Sequence, residues 1–193
     1  PGEDCVGLFG YCTGTIQDLT LQNMTASGGW YVGLLTGWAG TLSNCHVQGT
    51  VSGNLKAGLL AGHTGLVSDC TSNGTVTIAT EQGGGLVGSN EGTISGCSSS
   101  GNVQGNFMSG KIGGLVGENT GSISGSHSTA TLSGAQSVVV GGLVGGNSGG
   151  SISSSYATGN VTGLMWVGGL AGDNGAGTIL SCFASGNVTG TTS

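Results

Sequence analysis

Aliphatic residues return along this chain at a long, nearly constant interval, far beyond the periods of about 2 and 3.6 residues that mark a lone strand or helix. Leu8, Leu35, Leu60, Leu86, Leu115, Leu143 and Leu170 head successive segments, with spacings of 27, 25, 26, 29, 28 and 27 residues. Seven to nine residues after each comes a second aliphatic position: Ile16, Leu42, Val67, Ile94, Ile123, Ile152 and Ile179. Three residues further stand Leu19, Cys45, Cys70, Cys97, Ser126, Ser155 and Cys182. A last column, nine beyond the second, reads Val51, Val76, Val103, Leu132, Val161 and Val188, and in a first copy one residue shorter it places Met24 there. Fixed spacing between the second and last columns implies a fixed backbone path, and variable spacing elsewhere implies loops.

Self-similarity at such a period is the signature of a stacked repeat. The blocks G-G-L-V-G at 84–88, 113–117 and 141–145 and G-G-L-A-G at 168–172 are near-identical, with degenerate copies at 6–10, 33–37 and 58–62. The pattern predicts an all-β chain: a single-stranded parallel β-solenoid of about seven turns, 25–29 residues each. It forms one domain over 1–193, with degenerate repeats at 1–83 and regular ones at 84–193. Each turn reads as three short strands, the first carrying the anchor leucine, the second T-I-S-x-C or its variants, the third G-N-V-T-like. Cys97, Ser99 and Val103 share a parity, so the cysteine column faces inward, and Ile94 has the opposite parity, which requires a turn before Cys97. Asn90, Asn119, Asn147 and Asn174 suit left-handed corners, and when stacked they also form an amide ladder. Seven turns at a strand spacing of about 4.8 Å make a rod roughly 34 Å long.

Composition sharpens this. Of 193 residues 45 are Gly and one is Pro, far above the usual Gly fraction of about 7%, so the backbone uses conformations that side chains obstruct. No three-residue period exists, which excludes collagen. The net charge is −6, with Lys56 and Lys111 the sole basic side chains besides histidine, too few for a nucleic-acid footprint or an anionic membrane surface. No apolar run is long enough to span a membrane, no signal-peptide pattern opens the chain, and Pro1 in place of Met suggests a processed or truncated product.

Six cysteines and the sequons at Asn23, Asn73, Asn160 and Asn187 are compatible with a secretory route, so these asparagines are candidate N-glycosylation sites. Cys5 and Cys12 flank the first anchor and form the expected local bridge. Cys45 and Cys70 are a second candidate pair, since adjacent turns bring Cα atoms within disulfide range. Free buried cysteine also behaves as a small hydrophobe, and Ser126 and Ser155 fill the same slot.

Catalytic patterns are thin. G-N-S-G-G at 146–150 resembles a serine nucleophile segment, yet it is one more copy of the turn that reads G-S-N-E-G and G-E-N-T-G in its neighbours, so Ser148 is not expected to be a nucleophile. No H-E-x-x-H occurs. His46 and His127 lie three turns apart, about 14 Å, too far to share a metal, and Glu118 and Asp173 are two turns apart in one column. No cofactor or metal is expected. The third strands offer outward pairs such as Thr50/Ser52, Thr75/Thr77 and Thr131/Ser133, a flat hydroxyl face of the kind that suits ice. The loops before each anchor gather Trp30, Tyr31, Lys56, Phe107, Met108, Lys111, Met165 and Trp166. Of these, Trp30, Tyr31, Phe107 and Trp166 are candidate glycan-binding aromatics.

The columns resemble the GLUG repeat, named for a Gly-Leu-hydrophobic-Gly core that stands here as G-L-V-G at 85–88, 114–117 and 142–145, followed by N-x-G-x-I and by Y-A-T-G-N-V at 156–161. The resemblance spans essentially the whole chain and is stronger from Gly84 onward. It implies a repeat segment of large bacterial surface or secreted proteins, among them the non-catalytic parts of IgA-specific zinc metallopeptidases. It carries no catalytic residues to transfer. The expectation is therefore a non-enzymatic extracellular or cell-surface structural element, a stalk or adhesin segment or a filament subunit that joins end to end. A glycan- or ice-binding module is the alternative.

Overall fold

A computed structural model describes residues 4–105, 110–134, 136 and 139–191. Among them no helix occurs, and the chain coils through three parallel sheets, each receiving strand from every turn. The first sheet stacks Cys5–Val6, Tyr31–Val32, Lys56–Gly58, Gln82–Gly84, Lys111–Gly113, Val139–Gly141 and Trp166–Gly168. The second begins with Phe9–Gln17, Thr36–Ser43, Ala61–Ser68 and Val87–Ser95. In later turns its strand divides in two, as in Val116–Asn119 with Ser122–Ser124. The third begins with Thr20–Gly28, His46–Gly53, Thr71–Ile78 and Ser98–Gly105 and divides likewise. This is the β-solenoid of about seven turns that the leucine spacing predicts.

The anchor leucines sit at the bend between the first and second sheets rather than inside a strand. The Leu115 carbonyl accepts from both Leu86 N (2.9 Å) and Val87 N (3.1 Å), so one acceptor holds the bend of the turn before it. Leu35, Leu60, Leu86, Leu115 and Leu143 are fully buried, whereas Leu8, in the first turn, is 49% exposed. The final glycine of G-L-V-G has a steric cause. A Cβ on Gly62, Gly88, Gly117, Gly145 or Gly172 would lie 2.6–2.9 Å from a backbone nitrogen of the first-sheet strand one turn back. The second sheet passes too close to that strand for any side chain.

Between the second and third sheets the corner is a single left-handed residue, repeated in all seven turns. Asp18, Asn44, Asp69, Gly96, Gly125, Ser154 and Ser181 occupy it with φ between 47° and 62°. Asp, Asn and Gly tolerate that region best. The left-handed positions are therefore these, and not the asparagine column that the sequence suggested for them. One residue later the cysteine column turns inward, as its parity requires. A second correction concerns the first turn, where the last column is filled by Ala26, which pairs with Val51 and is buried. Met24 pairs with Gly49 instead, because a bulge with Asn23 at φ 55° adds a residue to the strand.

Two polar ladders run through the core. In the first, Asn90 Nδ2 donates to Asn119 Oδ1 (2.7 Å), Asn119 Nδ2 to Asn147 Oδ1 (2.8 Å), and Asn147 Nδ2 to Asn174 Oδ1 (2.7 Å). Asn90, Asn119 and Asn147 are fully buried, and the ladder meets their hydrogen-bonding demand. The second ladder is the cysteine column. Cys45 N donates to Cys70 Sγ (3.4 Å), Cys70 N to Cys97 Sγ (3.4 Å), Cys97 N to Ser126 Oγ (3.1 Å) and Ser126 N to Ser155 Oγ (3.1 Å). Each of these side chains donates in turn to the carbonyl two residues back, just ahead of the left-handed corner. Cys and Ser alternate in this slot because each is small and both donates and accepts.

No disulfide joins any of the described cysteines, so neither the Cys5–Cys12 nor the Cys45–Cys70 bridge is formed. Cys70 Sγ is instead occupied by the Cys45 amide and the Ser68 carbonyl. Burial pushes the Cys45 thiol up, and the hydrogen bond with Cys97 together with burial pushes up that of Cys70. Both remain neutral thiols, poor nucleophiles and poor metal ligands.

Two substitutions test the ladders by denaturant unfolding. Asn119→Ala leaves Asn147 Oδ1 and the Asn90 amide short of partners in the core and is expected to cost about 2–4 kcal/mol. Cys70→Ser keeps both roles of the thiol and is expected to stay within about 1 kcal/mol of the parent, whereas Cys70→Val strips the Cys45 amide of its acceptor and costs about 1–3 kcal/mol. Equal stability of the Ser and Val variants would show that the slot selects size alone.

Candidate functional site

The side chains that point out of the first sheet meet a column of the second sheet across the bend. On one side stand Tyr31, Lys56, Gln82, Lys111, Val139 and Trp166, in register on successive turns. On the other stand Tyr11, Trp38, His63, Ser89, Glu118, Gly146 and Asp173. Stacking at strand spacing brings like rings face to face. Tyr11 lies on Trp38 with centroids 4.7 Å apart at 17°, and Trp38 lies on His63 at 5.8 Å and 18°. Tyr31 meets the His63 ring edge-on at 6.0 Å, and the Lys56 ammonium sits 5.3 Å from the Tyr31 ring centre.

His63 is buried in this cluster. Its Nε2 lies 4.0 Å from Glu91 Oε2, while Nδ1 is shielded from solvent and makes no hydrogen bond. Burial holds its pKa below the usual imidazole value, the nearby Lys56 charge adds to that, and Glu91 opposes it.

Two turns further along, Lys111 forms an ion pair with the buried Glu118, and its Nζ also donates to Ser148 Oγ at 3.3 Å. Lysine beside serine invites a nucleophile reading, but the surroundings argue against it. The ammonium is engaged by a carboxylate. Ser148 N donates to the Asn119 carbonyl and Gly149 N to the Gly175 carbonyl, so neither amide is open to a developing oxyanion. Glu118 and Asp173 do share a column, with Gly146 between them, but Glu118 is committed to Lys111.

A shallow cleft opens beside Tyr31, at the edge where the chain enters the first sheet. Trp30, Tyr31, Leu55, Lys56 and Glu81 line about 210 Å³, and Glu81, Gln82, Gly110 and Lys111 line its continuation. Asp4 fixes one wall: its carboxylate accepts from Gly29 N (2.8 Å) and Trp30 N (2.7 Å). The Gly29 bond leads in holding the Asp4 pKa below the usual carboxylate value.

The third sheet carries a different surface. Its outward column runs Thr20, His46, Thr71, Ser98, His127, Tyr156 and Phe183, so His46 and His127 stand three turns apart as expected. His46 Nδ1 is 2.8 Å from Thr71 Oγ1, and His127, Tyr156 and Phe183 stack at 4.7 and 4.8 Å. All four sequon asparagines are exposed on this side, and Asn160 Oδ1 accepts from Asn187 N. The hydroxyl pairs are in register from Thr25/Ser27 through Thr50/Ser52 and Thr75/Thr77, then pass through Asn102/Gln104 to Thr131/Ser133. The second sheet has a comparable face that the sequence reading missed, Thr41/Ser43, Thr93/Ser95 and Ser122/Ser124, broken by Leu66.

Of the aromatics expected in loops, Tyr31 and Trp166 lie on strands of the first sheet, Trp30 immediately precedes one, and Phe107 lies outside the described residues. Tyr31 and Trp166 are five strand steps apart, roughly 24 Å, so the structure does not bring them together. The cluster round Tyr31 is built instead with Tyr11, Trp38 and His63. Their common register two residues past each anchor block's start of strand was the available signal.

Residues 79–104 and 137–162 match the GLUG motif. The first of these stretches covers the three strands Gln82–Gly84, Val87–Ser95 and most of Ser98–Gly105, so one copy of the motif is one turn of the coil. No curated protein and no solved structure matches the chain.

The buried histidine gives a signed pH dependence. With the folded-state pKa depressed, the unfolded chain binds more protons below about pH 6.5. The His63 contribution is therefore intact above that value and is lost as pH falls from there through the depressed folded-state pKa. The parent is expected to lose several degrees of Tm between pH 7.5 and 5, and His63→Gln clearly less. Identical slopes for the two proteins would contradict the burial of a neutral imidazole.

Proposed function

We propose that the chain is a structural segment of an extracellular or cell-surface protein, a rod that serves as a stalk or adhesin segment and extends by head-to-tail contact between copies. GLUG repeats on a β-solenoid fit a non-enzymatic structural module of this kind. The observation that carries the reading is the use of side chains. The asparagine and cysteine columns and the ring stacks all spend their hydrogen-bonding or contact capacity on the turn above or below. Little converges on a point where chemistry would happen. No helix among the described residues is long and apolar enough to cross a membrane.

Head-to-tail contact draws on the stacking that already joins turn to turn. Ile152 pairs with Ile179 and Val161 with Val188 in parallel register, and a second copy that adopts the same register extends these apolar columns. Such a contact is heterologous and does not close, so it yields fibres.

Sedimentation velocity across a wide concentration range tests this. The parent is expected to form species that grow with concentration. Val188→Asp, which places a charge at a half-exposed position of the column it shares with Val161, is expected to remain monomeric with an unchanged circular dichroism spectrum. A parent that stays monomeric at the highest concentration would end the head-to-tail reading.

A further inference from the structure

The cleft beside Tyr31 has features that holding the rod together does not require. Trp30, Leu55, Glu81 and Gly110 occupy equivalent positions on four successive turns, each just ahead of the first-sheet strand that carries Tyr31, Lys56, Gln82 and Lys111. The two rows are tied by Lys56 N to Trp30 O (2.8 Å), Gln82 N to Leu55 O (2.6 Å) and Lys111 N to Glu81 O (2.7 Å). The floor therefore runs along the coil axis for three strand steps, about 14 Å. At one end the Trp30 indole, 43% exposed, lines the cleft together with Leu55. Further along are an ammonium, a carboxylate and an amide. Among the described residues no carboxylate pairs with Lys56.

We propose that this cleft binds a neutral saccharide chain laid along the coil axis, with one sugar ring against Trp30 and hydroxyls donating to Glu81 and accepting from Lys56. The inference goes beyond the structural reading and is tested separately from it. Three observations select the ligand. An exposed aromatic face next to mixed donors and acceptors matches a sugar, which has an apolar ring face and a hydroxyl rim. Lys56 and Glu81 bring opposite charges to one small cleft, and the chain as a whole carries −6, which disfavours an acidic polymer. An extended peptide binds sheets by adding a strand to a free edge, but here the first-sheet strands are already hydrogen-bonded to neighbours on both sides through the length of the cleft. The polar trough on the third sheet, lined by Gln22, Gln48 and Asn73, is larger but lacks an exposed aromatic wall and holds the Asn73 sequon.

The test is calorimetry and tryptophan fluorescence on the whole chain, with hexamers of β-1,4-linked glucose, N-acetylglucosamine and mannose, and with a galacturonate hexamer as the acidic counterpart. At least one neutral hexamer is expected to bind and to shift the indole emission. Trp30→Ala is expected to weaken that binding at least tenfold and Glu81→Ala severalfold. Trp166→Ala, on the same sheet but outside the cleft, is expected to leave it unchanged. Circular dichroism confirms that each variant is folded. Absence of binding by all three neutral hexamers at millimolar concentration would overturn the proposal. So would preferential binding of the acidic hexamer, or binding that survives Trp30→Ala.

Discussion

Everything in this molecule follows from the parallel hydrogen bonding of each turn to the next at strand spacing. A single turn of some 27 residues buries too few aliphatic groups to offset its own ordering, and it gains stability only by stacking. Stacking imposes a severe rule on sequence: whatever sits at a position must tolerate its equivalents directly above and below. Leucine stands on leucine at the bend, asparagine on asparagine in the core, and glycine on glycine where two sheets approach too closely for a side chain.

The rule turns expensive groups into cohesive ones. A buried amide is costly alone, but a column of them meets its own hydrogen-bonding demand, and each carboxamide both donates and accepts. The cysteine column works in the same way, with a thiol or hydroxyl capping the left-handed corner of its own turn while accepting the amide of the turn before. The outward ring stacks, Tyr11–Trp38–His63 and His127–Tyr156–Phe183, are the surface form of this principle. Where the rule relaxes, beside Trp30 and Lys56, side chains differ from turn to turn and a cleft of mixed chemistry results.

Periodicity makes the coil, the number of turns, the inward cysteines and the asparagine ladder legible in the sequence. It failed where two physical solutions share one residue type. Asparagine suits both a left-handed corner and a buried ladder. Spacing alone could not say that Asp18, Asn44 and Asp69 take the corner while Asn90 and Asn119 take the core. The bulge at Asn23 hid Ala26 behind Met24, since an inserted residue in a degenerate turn looks like a deletion when only column distances are counted. The candidate site was half legible. Trp30 and Tyr31 stood out as large residues near a variable loop, but the ring that meets Tyr31, His63, and the Tyr11 and Trp38 rings stacked with it come from another sheet across a bend whose direction the sequence does not encode locally.

If inter-turn contact is the source of stability, protection of backbone amides must follow turn number rather than sheet. Hydrogen–deuterium exchange resolved along the chain measures this directly. The account predicts that the three strands of any one turn exchange together, slowest in the central turns around Leu86 and Leu115 and progressively faster toward the first and seventh. Protection that instead groups by sheet, with one sheet stable from end to end while another exchanges freely, would contradict it.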